Sequence, residues 1–155
     1  MILDERAEFC DAVAVPTGGA ATTLVGDVMD LGAVNRDIGQ GKTVYLVIQV
    51  DTAIVGGTAV QFILASDSAE AINTAGAASQ HALSDVYLVA DLVQGFQIVI
   101  PLPMGDTGAT SSINPYERYL GILVVGTGTQ TSGNINAFLS LDPAGWRSYP
   151  DAANS

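Results

Sequence analysis

The stretch Ile38-Gly39-Gln40-Gly41-Lys42-Thr43-Val44-Tyr45-Leu46-Val47-Ile48-Gln49-Val50 admits two incompatible readings, and the choice between them decides the fold. Gly41-Lys42-Thr43 has the closing letters of a phosphate-binding loop. Such a loop carries another glycine before Gly41, with four residues between the two, and opens a helix whose N-terminus faces the anion. The position where that glycine belongs is Arg36. After Thr43, the chain alternates Val44, Leu46, Ile48 and Val50 against Tyr45, Val47, Gln49 and Asp51. A period of two in β-branched and aromatic residues marks a strand. The stretch therefore reads as a glycine-rich turn launching a core strand, not as a nucleotide site.

The same rhythm recurs on either side. Candidate strands run over 22–31, 43–51, 58–66, 85–90, 96–102, 119–126 and 134–141. Val60, Phe62 and Leu64 alternate with Ala59, Gln61 and Ile63, and Ile135, Ala137, Leu139 and Leu141 with Asn134, Asn136, Phe138 and Ser140. Gly56-Gly57, Met104-Gly105-Asp106 and Gly126-Thr127-Gly128 punctuate them as turns, and no long segment has helical spacing. The expected fold is all-β, a two-sheet antiparallel sandwich of jelly-roll or immunoglobulin type, between which strand pattern does not choose. Residues 1–21, acidic and then rich in small residues, read as an N-terminal arm; 22–142 form the domain and 143–155 a short tail. The alanine-rich stretch Asp67 to Ser84 reads as a loop with one helical turn, and Asp106 to Glu117 as a polar exposed loop. Pro101 and Pro103 remove two ladder donors, so their strand ends there or lies at a sheet edge.

Composition narrows the function. At 155 residues the chain suits one domain with a real core. Its formal charge is -11, from 16 acidic residues against five basic ones: Arg6, Arg36, Lys42, Arg118 and Arg147. Phosphate backbones and anionic membranes attract the opposite sign, so neither nucleic acid nor membrane is an expected partner. Apolar runs such as Leu120 to Val125 fall short of the roughly 20 residues that span a bilayer. The N-terminus lacks the basic start and apolar core of a signal peptide, which implies a protein made in a cytoplasm. Charged residues are 14% of the chain, against roughly 25% in ordinary domains. Part of the surface is expected to be hidden against other copies or another protein.

No catalytic constellation emerges. His81 is the single histidine, so a Ser-His-Asp arrangement would have to combine it with Ser79 or Ser84 and Asp85, and no Gly-x-Ser-x-Gly elbow exposes a serine. His81 reads instead as a solvent-facing loop residue. The carboxylates are scattered singly, without a calcium-loop ladder, and one histidine with one cysteine builds no zinc site. No metal and no cofactor is expected. Cys10 can form no intrachain disulfide and reads as a small buried residue. Trp146, Arg147 and Tyr149 cluster beyond the last strand; these types dominate binding hot spots, although Trp146 folding back onto the core is the equal alternative.

Three blocks in the first half, Asp27-Val28-Met29-Asp30-Leu31-Gly32, Arg36-Asp37-Ile38-Gly39-Gln40-Gly41 and Tyr45 to Ala53, carry a family likeness. It continues through Val60-Gln61-Phe62-Ile63-Leu64, Leu102-Pro103-Met104-Gly105, Arg118-Tyr119-Leu120-Gly121 and Gly133 to Leu139. In order and spacing these blocks resemble the capsid cement (decoration) proteins of tailed double-stranded DNA bacteriophages. The resemblance covers most of residues 22–142; the Asp106 to Glu117 loop and the tail after Asp142 depart from it. It implies a jelly-roll domain without catalysis, commonly a homodimer, with a trimer as the other possibility. Such a protein sits on the outside of the virion capsid and clamps neighbouring major capsid subunits. On position, the expected capsid or dimer contacts are Leu3, Phe9, Arg36, Lys42, Trp146, Arg147 and Tyr149. A carbohydrate- or receptor-binding jelly-roll module of a virion is the alternative.

Overall fold

The computed structural model describes residues 5–15, 21–32, 38, 41–103 and 115–143. Its strands are β1 (Glu8–Ala14), β2 (Thr22–Asp30), β3 (Tyr45–Gly56), β4 (Ala59–Asp67), β5 (Ser79–Leu83), β6 (Tyr87–Leu88), β7 (Gln97–Pro101), β8 (Tyr119–Thr127) and β9 (Gln130–Ser140). Single 3-10 turns occupy Glu5–Ala7 and Val89–Asp91. One sheet has the order β1-β9-β3-β7 and the other β2-β8-β4-β5, with β6 also paired to β4. Among the described residues every pairing of strands is antiparallel. Apart from the β4–β5 hairpin and its β6 extension, the chain changes sheet at each connection, which is the jelly-roll arrangement.

The alternation read in the sequence positions the core. Leu46, Ile48 and Val50 of β3 face Val60, Phe62 and Leu64 of β4, joined by Leu120, Ile122 and Val124 of β8 and by Ile135 and Ala137 of β9. Burying side chains of this size contributes roughly 1.5–3 kcal/mol each. A smaller cluster lies on the outer face of the second sheet, where Ile72 and Ala78 cover Ile63, Ala65 and Leu123. The segment that carries Ile72 is held by two side chains acting as local acceptors. Asp67 Oδ2 accepts from Asn73 N–H (3.0 Å) and Asn73 Oδ1 from Ala75 N–H (2.8 Å). The expected helical turn is thus a hydrogen-bonded turn at 74–77, and the last third of the stretch is strand β5.

Two glycine contacts close the sandwich. β3 runs into β4 through Gly56-Gly57-Thr58, and β8 into β9 through Gly128-Thr129. Because β3 pairs with β9 and β4 with β8, the four strands form one long ribbon bent at its middle. At the bend Gly57 has φ +71°, and a Cβ there would stand 2.6 Å from Gln130 Nε2 and 2.9 Å from Thr127 O. Along one flank, a Cβ on Gly26 would collide with the Phe9 carbonyl oxygen and lie 2.6 Å from Cys10 Cβ.

Residues 8–14, read as part of an arm, are therefore an integral edge strand. Their pattern was hidden by two register shifts and by Ala12, whose φ of 48° and 2.6 Å N–H bond to Asn136 Oδ1 mark an irregular strand. Pro101 ends β7, and β7 is a sheet edge, so both halves of the expectation for that strand hold.

The bend makes a measurable prediction. Gly57→Ala meets both a left-handed backbone and a collision, whereas Gly41→Ala, at φ +81° with nothing within 4 Å, meets the backbone cost alone. In urea unfolding, Gly41→Ala should cost about 1–2 kcal/mol. Gly57→Ala should cost at least about 2 kcal/mol more, from overpacking; equal losses would contradict the close approach.

Candidate interaction surfaces

At the bent end of the ribbon an apolar groove of about 520 Å³ opens between β3–β4 and the segment after β6. Its walls are tied by main-chain bonds: Val89 N–H to Thr58 O (3.0 Å) and Ile54 N–H to Leu92 O (3.0 Å). Leu92 is completely buried and anchors the segment in the core. With Leu92 turned inward, Leu88, Val93 and Val55 stay outside, 56%, 54% and 51% exposed. Leu83 and Val86, on and just beyond β5, are exposed as well. A contiguous apolar surface bordered by polar residues is the mark of a protein contact.

The edge strands β7 and β5 are poor templates for strand addition. Val50 N–H bonds Phe96 O (2.9 Å) and Leu102 N–H bonds Val44 O (2.8 Å), so the even-numbered residues of β7 bond toward β3. Gln97, Val99 and Pro101 are left facing outward, and Pro101 has no N–H to offer. β5 is only five residues long. Short strands and an edge proline both discourage uncontrolled pairing.

His81 lies on β5 and is half-buried, not a solvent-facing loop residue. The strand escaped notice because Ser-Gln-His-Ala-Leu has little β-branched or aromatic content. Its ring stacks on Tyr116 at 4.1 Å, and Nε2 stands 2.6 Å from Ser66 Oγ. Ser66 is fully buried and accepts from Glu117 N–H (2.9 Å). Ser79 donates to Glu117 Oε1 (2.8 Å), and Tyr116 OH to Pro103 O (2.9 Å). Ser84 is committed to Phe62 N–H and Asp85 O. The geometry brings neither Ser79 nor Ser84 to the imidazole. It builds a knot in which β4, β5 and the segment entering β8 share hydrogen bonds.

Cys10, flanked by Glu8, Asp11 and Asp27 in an acidic groove of about 420 Å³, is buried. Burial, reinforced by those carboxylates, pushes its thiol up to about 12, so it is no ready nucleophile. At the far end of the second sheet Arg118 forks onto Asp30, Nε to Oδ1 at 3.0 Å and Nη2 to Oδ2 at 2.9 Å. That bond, with Gly32 N–H, holds the Asp30 carboxyl down to about 2.

Of the residues expected at contacts, Phe9 is 1% exposed and packs in the main core, which commits its ring to the monomer. Lys42 is exposed, just before β3. Leu3, Arg36, Trp146, Arg147 and Tyr149 lie outside the described residues. The groove was not anticipated, because its walls come from segments far apart in sequence. Its faint signal is Leu88-Val89-Ala90-Asp91-Leu92-Val93: 85–90 reads as a strand, but only Tyr87–Leu88 pairs and Val89–Asp91 is a 3-10 turn, so apolar residues beyond β6 are left to line a groove.

The histidine knot sets a pH dependence. Burial lowers the His81 pKa from 6.5 to about 4, so between those values the unfolded chain takes up a proton that the folded one refuses. Stability from this source is complete above about pH 6.5, falls as pH drops toward 4, and changes no further below. Going from pH 7 to 5 should cost on the order of 1–2 kcal/mol in urea unfolding. His81→Gln should flatten that slope; an unchanged slope would contradict the assignment.

The family model for Bbp16 matches residues 9–139, which takes in every strand but the first residue of β1 and the last of β9. No curated protein matches the chain. With a match across nearly the whole sandwich, the chain belongs to the Bbp16 family, a protein family of phage type.

Proposed function

We propose that this chain is a capsid cement, or decoration, protein: it binds the outside of a phage head and clamps neighbouring major capsid subunits. The observation that carries the reading is the preformed apolar groove at the bent end, with Leu88, Val93 and Val55 each more than half exposed on a chain poor in charge. Membership of a phage-type family and the resemblance to cement proteins support a capsid surface as what meets it. The role is structural, with no catalysis. The protein is made in the host cytoplasm, ends on the outer capsid surface, and acts as a homodimer.

Weak contacts suffice for such work. A dimer that bridges two subunits converts its second contact into an intramolecular one, so that avidity exceeds either contact alone. The net charge of -11 suits basic patches on the capsid exterior, and attraction of that kind weakens with added salt.

Purified protein mixed with undecorated mature heads should co-sediment with them, raise their resistance to heat, and release as ionic strength rises. Failure to bind heads would overturn the reading. Binding to glycans without affinity for heads would favour a receptor-binding module instead.

A further inference from the structure

We propose that the groove at the glycine bend is a docking site for one class of partner: an aliphatic protein segment flanked by lysine or arginine. This rests on the head-binding reading for where the partner is found, but its chemistry is argued from the groove. The walls are aliphatic, and the exposed Leu88, Val93 and Val55 surround them. The groove, about 520 Å³, is open and shallow, which suits a protein segment laid across it. The bonds joining Thr58 to Val89 and Ile54 to Leu92 hold it open without a partner, so little ordering is lost on docking.

Charge selects the flanks. Among the described residues no charged one lines the groove, and the nearest charges along the chain are all carboxylates. Asp91 is exposed between the lining residues Ala90 and Leu92, while Asp51 precedes Ala53 on β3 and Asp85 precedes β6. The described cations sit at the other end of the sandwich. Lys42 precedes the start of β3, Arg118 the start of β8, and Arg6 the start of β1, where Glu8 pairs with Phe138 near the end of β9. Among the described residues, the groove thus presents an apolar floor with only carboxylates near it. A second copy meeting it groove to groove would set carboxylates against carboxylates, which disfavours self-association here and favours a basic partner.

The test uses the full chain, ¹⁵N-labelled, and two synthetic probes: acetyl-Lys-Lys-Leu-Val-Leu-Lys-Lys-amide and its counterpart with glutamate for lysine. The lysine peptide should shift the amides of Val55, Leu88, Ala90 and Val93, and the glutamate peptide should bind several-fold more weakly. Asp91→Asn should lower affinity for the lysine peptide about 2- to 5-fold without moving the shifted residues. The double variant Leu88→Ser, Val93→Ser alters exposed side chains only, so it should keep its urea midpoint and lose the shifts. Equal response to both peptides, shifts elsewhere, or full binding by the folded double variant would overturn the proposal. Heads separate the two readings. If the double variant binds heads as well as the parent does, the groove assignment falls and head binding stands. If the parent fails to bind heads but still takes the lysine peptide in the groove, the reverse holds.

Discussion

The structure depends on two chain bends that must occupy almost the same space. Gly56-Gly57 and Gly128 bring the β3–β4 and β8–β9 connections together so closely that a single methyl group at Gly57 would meet Gln130 and Thr127. Only a residue without a Cβ tolerates both the left-handed backbone and the contact. Once the ribbon bends there, β3 and β9 become the centre of one sheet and β4 and β8 the centre of the other. Their inward side chains then face each other as the core, so the hydrophobic term that stabilises the domain is collected only if the bend forms.

The bend also shapes the surface. It brings the end of β3 beside the segment after β6, and the buried Leu92 fixes that segment at the cost of leaving Leu88 and Val93 outside. The opposite end carries polar ties instead, the Arg118–Asp30 fork and the histidine knot. One end is therefore apolar with acidic neighbours, and the other is polar with mixed charge. Such polarity along the sandwich gives a docking protein a defined orientation.

The sequence made the central strands legible because β3, β4 and β9 alternate and β8 is a short apolar run bounded by turns, buried on both faces of its sheet. Pro101 and Pro103 marked the edge for a local chemical reason, the missing N–H. β1 and β5 were not legible. The first breaks its period at register shifts, and the second consists of residues that say little about strands. The glycine turns were legible singly, but their convergence, the groove built on it, and the pairing of Ser66 with His81 are non-local. In each case the partners are brought together by the fold and not by adjacency in the sequence. The resemblance named the jelly-roll arrangement that alternation alone left open against the immunoglobulin one.

The central claim is that this sandwich decorates a phage head through its bent end. Electron cryomicroscopy of heads saturated with the protein measures this directly, since the density shows both whether the sandwich is present and which end touches the shell. The account predicts ordered density on the outer surface at sites between neighbouring capsid subunits, with Val55, Leu88 and Val93 against the shell. Heads without added density, or sandwiches standing on the end that carries Lys42 and Arg118, would contradict it.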